Sequence, residues 1–349
     1  MPTQPINLFM LAFDQRGSFT TGLFDIKGKP TREETARIAD AKRVIFEGLN
    51  LAVLEGVPMA NSGLLVDEQF GAEVARTAKA SGYTLAMPVE KSGQKEFDFE
   101  YGADFGKHIE TFDPAYAKVL VRYNPDGDSA MNTRQLTRLA ELSSWLREND
   151  RRLLFELLVP PEPAQLKKVG GDCDIYDREM RPELTIRAIA EAQAAGVEPE
   201  IWKVEGLDRR EDYERVAEKA RSAGRDGVAC IILGRGASDT TLETWLRLEA
   251  GVPGFIGFAI GRTIWQQPLK EWLALKLDRA GASRIIADNL STNGRDLFGR
   301  KRRLRVHVTA RLDNGSQAPG AMAARPVSGS CALTRLVVVS HLTGKHQLP

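Results

Sequence analysis

Eight short, mostly apolar runs spread over residues 8–260 constrain the fold more than any other feature of this sequence. Continuous apolar runs of this length are typical of strands that are buried on both faces of a parallel sheet. The runs are LFMLAF (8–13), GLLVDE (63–68), LAMPVE (85–90), KVLVRY (118–123), LLFELL (153–158), EIWKVE (200–205), VACIIL (228–233) and FIGFAI (255–260). We therefore expect eight parallel strands.

The stretches between these runs carry helical periodicity and helix-end signals. One apolar face consists of Ile38, Ala41, Val44, Ile45, Leu49 and Ala52, and a second of Leu136, Leu139, Leu142 and Leu146. Thr31 and Glu34 have the spacing of a capping box, and Pro182 suits a first helical turn. Gly196 and Gly224 stand where helices should end. Strands that alternate with helices predict an α/β fold of the (β/α)8 TIM-barrel type over residues 1–290.

The main competing fold is an open, doubly wound sheet. Such a sheet needs a glycine-rich phosphate turn directly after its first strand, and an acidic residue about 20 positions further on. Here the first run is followed by DQRGS (14–18). The missing signal favours the barrel.

Charge separates the last part of the chain from the rest. Residues 291–349 carry a net charge of +8, whereas residues 1–290 carry −7. We expect 291–349 to be a disordered basic tail outside the barrel. Its cluster at residues 300–305 could contact nucleic acid through charge, but no recognition fold surrounds it, so we expect no nucleic-acid partner. The N-terminus lacks a secretory signal and no apolar run is long enough to span a bilayer, which predicts a cytoplasmic protein without membrane contact.

Polar residues are concentrated at the ends of the predicted strands. In a TIM barrel, catalytic groups lie at the carboxyl ends of the strands, so these residues are the candidates for chemistry. They are Asp14, Asp67 and Glu68, Glu90 and Lys91, Arg122, Glu156, and Lys203 and Glu205, in strand order.

Lys203 is the most informative of them. A lysine inside a buried strand is costly to desolvate, so we expect it either to form an ion pair or to have a catalytic role. A structural ion pair is one explanation. However, Lys118 and Glu156 also lie within strands, and one ion pair does not need three partners. A cation beside a desolvated amine favours the neutral, nucleophilic form of that amine, which can attack a carbonyl to form a Schiff base, while a carboxylate moves protons. These three residues would supply those roles.

Two glycine–arginine turns follow the seventh and eighth strands. They are Gly234-Arg235-Gly236 and Gly261-Arg262. Barrels commonly bind phosphate at this place through backbone N–H groups and a helix N-terminus, and guanidinium groups match phosphate oxygens. Tight turns without a ligand are the alternative. We expect a phosphorylated small-molecule substrate.

Metal chemistry has little support. Three of the four histidines lie in the basic tail, and only His108 lies in the predicted barrel, so a zinc site built on a histidine cluster is not expected. The alternative is a magnesium site made of Asp14, Asp67, Glu68 and Glu90. The lysines compete with it, and we expect neither a metal nor another cofactor.

Residues 90–100 form a long charged loop after the third strand. Loops at this position act as lids or as walls of the substrate site. A solvated loop without a role is the alternative.

Eight segments of the chain resemble the class I aldolases of the tagatose-1,6-bisphosphate aldolase type. The resemblance is stronger to the aldolase-like domain that is fused to 5-dehydro-2-deoxygluconokinase in myo-inositol catabolism, and it covers residues 7–290. One segment comes from each predicted strand and the residues around it. In chain order the segments are LFMLAFDQRGSF, LLVDEQFG, AMPVEKSGQKEFDFEYG, KVLVRYNPDGD, FELLVP, EIWKVEGLD, ILGRG and GFAIGRTIW. The tail 291–349 is unlike that family.

The resemblance implies a role for each matching residue. It makes Lys203 the Schiff-base lysine, Glu156 the acid/base carboxylate, Lys118 a neighbouring active-site lysine and Asp14 the first-strand aspartate. Gly234, Gly261 and Arg262 match the phosphate cradle. The implied reaction is cleavage of 2-deoxy-5-keto-D-gluconate 6-phosphate into dihydroxyacetone phosphate and malonate semialdehyde, without a metal.

The substrate carboxylate would need a cation, and Arg122, Lys91 or Arg16 could provide it. The kinase half is missing from this chain, so a separate sugar kinase is a candidate functional partner, and a homo-oligomer stays open. Cleavage of tagatose 1,6-bisphosphate or a related sugar phosphate is an alternative. A barrel that binds a sugar phosphate without turning it over is another.

Overall fold

A computed structural model describes residues 7–292, and in it eight parallel strands close into a barrel in chain order. The ring closes where β1 pairs with β8, with Leu8 opposite Gly257. The strands are β1 (Leu8–Ala12), β2 (Ser62–Leu65), β3 (Thr84–Pro88), β4 (Tyr116–Arg122), β5 (Leu153–Leu158), β6 (Ile201–Glu205), β7 (Ala229–Leu233) and β8 (Phe255–Ile260). The predicted TIM barrel is thus confirmed, and the open-sheet alternative is excluded.

Helices surround the strands. They are α1 (Gly17–Phe24), α2 (Arg32–Leu54), α3 (Glu68–Ala80), α4 (Phe105–Phe112), α5 (Ser129–Glu148), α6 (Pro163–Lys168), α7 (Cys173–Glu179), α8 (Arg181–Ala194), α9 (Arg210–Arg221), α10 (Asp239–Glu249) and α11 (Arg262–Leu273), followed by helical residues 279–292. None of those in the described part of the chain is long and apolar enough to cross a membrane.

The helix ends follow from local sequence. The Thr31 hydroxyl accepts a hydrogen bond from the Glu34 N–H, and the Glu34 carboxylate accepts one from the Thr31 N–H, so the predicted capping box opens α2. Gly196 and Gly224 follow α8 and α9 with φ of 84° and 79°. Only glycine adopts this backbone region freely, which is why the helices end there.

The barrel interior is apolar toward the amino ends of the strands and polar toward their carboxyl ends. The apolar part is filled by Leu8, Met10, Ala12, Leu65, Ala86, Tyr116, Leu154, Ile201, Ile231 and Ala259. Side chains two positions apart on a strand share a face. Lys118, Glu156 and Lys203 follow Tyr116, Leu154 and Ile201 by two residues and therefore form the next layer toward the carboxyl ends of the strands.

Gly261 allows β8 and β1 to approach each other at the barrel mouth. A Cβ atom on Gly261 would lie 2.1 Å from the Ala12 carbonyl oxygen. That oxygen accepts a hydrogen bond of 2.9 Å from the indole Nε1 of Trp265, on the first turn of α11. The glycine is therefore required by packing, whatever further role it has.

The helical residues 279–292 connect the end of the barrel to its beginning. Arg279 donates hydrogen bonds to Glu47 at 2.7 Å and to Asp40 at 2.9 Å, both on α2. Ile286 packs against Gly48, where a Cβ atom would lie 2.4 Å from the isoleucine Cγ2. Residues 291 and 292, assigned to the tail by the sequence, belong to this helix; 293–349 lie outside the described residues.

Candidate active site

Three carboxylates surround the ammonium group of Lys118. Its Nζ lies 2.8 Å from Asp14 Oδ2, 2.8 Å from Glu90 Oε1 and 3.0 Å from Glu156 Oε2. The lysine side chain is 1% exposed. A single buried cluster therefore contains one charged group each from β4, from β5 and from the segments directly after β1 and β3.

The charges in this cluster shift one another's ionisation. Burial alone would lower the pKa of Lys118, but the attraction of Asp14, Glu156 and Glu90 outweighs it and raises that pKa. Burial would raise the pKa values of Asp14 and Glu156, yet both are lowered, chiefly by Lys118 and then by Lys203. Lys118 is thus held as a cation, between two carboxylates that are held as anions.

Glu90 behaves differently from the other two carboxylates. Burial raises its pKa, and the attraction of Lys118 and Arg16 does not offset that effect. Its second oxygen, Oε2, is buried without a hydrogen-bond partner among the described residues. Glu90 therefore takes up a proton more readily than Asp14 or Glu156.

Lys203 contacts the cluster through one carboxylate. Its Nζ lies 3.0 Å from Glu156 Oε1, and its side chain is 2% exposed. Glu156 therefore bridges the two lysines with its two oxygens. Lys203 and Glu156 are paired residues of β6 and β5 in the sheet register, which explains their proximity.

The loop 90–100 is an ordered wall rather than a solvated loop. The Lys91 N–H donates to the Asp98 carbonyl oxygen and the Glu100 N–H to that of Val89, both at 3.0 Å. Phe97 and Phe99 anchor the loop in the core. This wall lies beside β3 and carries Lys91 on its exposed surface.

Arg16 ties the wall to the first strand. Its Nη1 donates to Glu100 Oε2 at 2.8 Å, and its Nη2 donates to the Glu90 carbonyl oxygen at 2.5 Å. The residue is 7% exposed. Arg16 is therefore engaged in holding the wall, which leaves it less available to a ligand than its sequence position indicated.

Arg122 is less buried than Arg16. It lies two positions after Leu120 and four after Lys118 on β4, so it shares their inward face. Its Nη1 donates to the Gln94 carbonyl oxygen at 3.0 Å, and the residue is half-buried. Its guanidinium group therefore stands above the lysine cluster, next to the wall.

The two glycine–arginine turns lie against each other at the carboxyl ends of β7 and β8. Arg262 donates from Nη2 to the Arg235 carbonyl oxygen at 3.3 Å. Gly236 has φ of 73°, and a Cβ atom there would lie 3.4 Å from the Arg262 guanidinium. Gly234 is buried beside Ile260. The structure thus places the predicted phosphate-binding residues in one group.

Arg235 is already paired with acidic side chains. Its Nε lies 3.0 Å from Glu205 Oε1, and its Nη1 donates to Asp177 Oδ2 at 2.8 Å. An incoming phosphate would compete with these carboxylates. Arg262 is exposed and forms no ion pair with an acidic side chain within residues 7–292, so a phosphate would meet less competition there.

The four carboxylates of the alternative magnesium site are not gathered together. Asp67 pairs with Lys42, and Glu68 Oε2 lies 2.8 Å from His108 Nδ1. Asp14 and Glu90 instead contact Lys118. No group of three potential metal ligands with suitable geometry occurs within residues 7–292.

Sequence reasoning did not assign two buried acids of this site to the contacts that they make. Glu90 and Glu205 were candidates as residues at strand ends, and Glu90 also as a ligand of the alternative magnesium site, but neither was connected with the lysines. Glu205 follows Lys203 by two positions, so the alternation in IWKVE already placed both on one face. No comparable local signal connects Glu90 with Lys118, because the contact joins two different strands.

Together, the closed barrel and its buried lysine–carboxylate cluster define a TIM-barrel protein with a candidate active site at the carboxyl ends of the strands. The chain belongs to the family described as "Uncharacterized protein conserved in bacteria (DUF2090)", whose model matches residues 2–293. No curated protein matches the chain significantly.

Two solved structures share the fold. An archaeal fructose 1,6-bisphosphate aldolase is 14% identical, with 84% of this chain and 94% of that chain covered and a TM-score of 0.54. The protein Cgl0159 from Corynebacterium glutamicum is 17% identical, with 82% and 86% covered and a TM-score of 0.50. At such identities the similarity establishes the fold alone.

Proposed function

We propose that the protein is a Schiff-base aldolase that cleaves a phosphorylated keto acid or keto sugar, with Lys203 as the nucleophile. One observation carries the proposal: Lys203 and Lys118 share the buried carboxylate of Glu156, yet only Lys118 is surrounded by three carboxylates. Lys118 is therefore the fixed cation, and we assign the role of nucleophile to Lys203, whose one carboxylate contact among residues 7–292 is Glu156. A neutral amine at this position can add to a ketone.

The roles of the residues follow from these contacts. Glu156 takes a proton from the Lys203 ammonium group, and the nitrogen then adds to the ketone carbon. Glu156 passes this proton, and the second proton that the nitrogen releases on addition, to the oxygen, which leaves as water. The resulting iminium accepts the electron pair of the carbon–carbon bond when that bond breaks, while a carboxylate takes the proton of the β-hydroxyl. Protonation of the enamine and addition of water then release the product and restore the amine. Asp14 is the candidate for the carboxylate that takes the hydroxyl proton, because it lies in the same cluster.

For the substrate we propose 2-deoxy-5-keto-D-gluconate 6-phosphate. Lys203 would attack C5, and the break between C3 and C4 would release dihydroxyacetone phosphate and malonate semialdehyde. The sequence resemblance supports this choice, as does a site that offers cations at two places. Arg122 is the best placed to bind the carboxylate, and the turns with Arg235 and Arg262 to bind the phosphate.

Borohydride trapping tests the proposal. The protein is incubated with dihydroxyacetone phosphate and borohydride, with and without EDTA, and the adduct is located by intact-mass and peptide mass spectrometry. We expect a reduced adduct on Lys203 in both conditions and none in Lys203→Met. An adduct on another lysine, or tight binding without any adduct, contradicts the mechanism. Turnover of the keto acid phosphate compared with tagatose 1,6-bisphosphate then decides the substrate.

A further inference from the structure

Lys42 is a buried lysine that lies outside the cluster of Lys118 and Lys203. It belongs to α2 and is 0% exposed. Its Nζ donates to the Phe13 carbonyl oxygen at 2.7 Å and to the Gln15 carbonyl oxygen at 3.1 Å, and it forms an ion pair with Asp67. The three hydrogens of its ammonium group are thus matched by three acceptors.

The two carbonyl groups belong to the neighbours of Asp14. Phe13 precedes Asp14 and Gln15 follows it, so Lys42 holds the backbone on both sides of this aspartate. The Asp14 side chain itself contacts Lys118 at 2.8 Å. A displacement of this backbone would therefore be transmitted directly to that contact.

Lys42 is itself fixed from several sides. The second oxygen of Asp67 accepts a hydrogen bond of 2.9 Å from the Phe70 N–H and caps α3. The Lys42 Nζ also lies 5.0 Å from the ring centroid of Phe19 and 6.0 Å from that of Phe70. The ammonium group therefore joins α2, the end of β1 and the start of α3 in one place.

We propose that Lys42 is a positioning residue, which clamps the backbone around Asp14 so that the aspartate stays on Lys118. The inference rests on the proposed function for its catalytic meaning, because Lys42 contacts neither lysine of the cluster. A charged side chain without access to solvent is costly to keep unless its contacts compensate. Here those contacts are directed at the strand end that presents Asp14.

The contacts of Lys42 also bear on the wall, residues 90–100. Gln15 leads directly to Arg16, whose guanidinium holds the Glu90 carbonyl and the Glu100 carboxylate. Loss of the Gln15 contact would loosen this connection as well. Asp14 and Glu156 contact the same Lys118 ammonium group, and Glu156 also contacts Lys203, so a displaced Asp14 would disturb the carboxylate beside the nucleophile. The maximal rate of Schiff-base formation should therefore suffer more than phosphate affinity, since the proposed phosphate-binding turns follow β7 and β8.

The test uses Lys42→Met and the double variant Lys42→Met/Asp67→Asn. The double variant removes the buried charge of Asp67, and asparagine retains an oxygen that can cap α3. Arg43→Met is the control, because Arg43 is the neighbouring, largely exposed cation on α2 and contacts Asp40 and Glu73 instead. Two measurements are made on the full chain: hydrogen–deuterium exchange of peptides covering residues 13–18, and the borohydride trapping rate as a function of dihydroxyacetone phosphate concentration.

We expect faster exchange confined to residues 13–18 in the double variant, and a trapping rate at saturation that is about tenfold lower, since small misplacements of reacting groups have effects of at least this size. The half-saturating concentration should stay within about twofold of the wild-type value. Arg43→Met should match the wild type in both measurements.

Two results would overturn the inference: exchange at residues 13–18 equal to that of the control, or faster exchange across the whole barrel, which would make Lys42 a general stabilising residue. If the wild type itself forms no adduct, the proposed function fails, and the exchange measurement alone decides on the clamp.

Discussion

Lys118 and Lys203 are connected through the two oxygens of a single carboxylate: Glu156 Oε2 lies 3.0 Å from the Lys118 Nζ, and Oε1 lies 3.0 Å from the Lys203 Nζ. The two amines are nevertheless not equivalent. Lys118 has two further carboxylate contacts, and Lys203 has none of that kind within residues 7–292. The bridge therefore places Glu156, the proposed proton acceptor, beside the lysine that has fewer carboxylate contacts.

Glu156→Gln should remove this proton acceptor while keeping the size of the side chain. We expect borohydride trapping at Lys203 to slow by roughly 10²- to 10⁴-fold, the usual contribution of a general acid or base. Glutamine also leaves two buried cations with less compensation, so the free energy of unfolding should fall by about 3–5 kcal/mol. Trapping kinetics and urea unfolding measure the two effects.

The control for that variant is Glu218→Gln, an exposed position on α9. It should leave both quantities unchanged. A Glu156→Gln protein that forms the adduct at the wild-type rate would exclude Glu156 as the proton carrier.

The free energy of unfolding of Glu90→Gln should increase relative to that of the wild type as the pH rises. Burial raises the pKa of Glu90 above its usual value of 4.5. A carboxyl group whose pKa is raised on folding contributes stability that is fully present below its unfolded pKa and is lost as the pH rises through the folded value. Glutamine does not titrate, so the variant escapes this loss.

Urea unfolding of the wild type and Glu90→Gln at several pH values from 4.5 upward gives the free-energy difference between them. We expect the difference to move in favour of the variant with increasing pH. A difference that is independent of pH, or that moves in favour of the wild type, would contradict the raised pKa of Glu90.

Gly261→Ala should disturb the closure of the barrel. The new Cβ atom would lie 2.1 Å from the Ala12 carbonyl oxygen, so β1 and β8 would have to separate. Overpacking of this kind costs about 1–3 kcal/mol. Thermal or urea unfolding measures the loss. Gly227→Ala is the comparison, because nothing lies within 4 Å of a Cβ atom at that glycine, and its stability should equal that of the wild type.

Arg122→Met should discriminate between substrates. If Arg122 binds the carboxylate of the keto acid phosphate, its loss raises the KM for that compound. Dihydroxyacetone phosphate has no carboxylate, so adduct formation with it should suffer at least about tenfold less, given that a charge-assisted hydrogen bond contributes roughly 1.5–3 kcal/mol. Equal losses for both compounds would mean that another cation binds the carboxylate. Steady-state cleavage and trapping kinetics are the measurements.

The strands could be predicted because each is a local apolar run. β5 and β8 have the bounds of their runs, and the other strands differ by a few residues at one or both ends. Once the barrel was inferred, the alternation of side chains was enough to bring Lys118, Glu156 and Lys203 together at one end. That prediction needed only the order of the strands and the position of each residue along its strand.

Contacts that join distant segments were not predictable in the same way. Lys42 lies on a helix whose apolar face was recognised, but its own burial depends on carbonyl groups at the end of β1 and on Asp67. For the wall 90–100, the many charged residues left a solvated loop open as the alternative to a wall. Phe97 and Phe99 bury it, and Glu96 is paired with Arg134 and Arg138, which lower its pKa to about 2. Neither effect has a signature in local sequence.

The attachment of residues 279–292 to α2 determines where the polypeptide can be cut. A fragment that stops at residue 278 would lose the bonds from Arg279 to Glu47 and Asp40, and would open the groove at Gly48 that Ile286 fills. Because that groove lies on α2, the second of the two α-helices between β1 and β2, such a truncation would damage the first unit of the barrel although it removes the last. For recombinant work, a terminal tag or fusion partner should therefore be joined after residue 292 rather than at the end of α11.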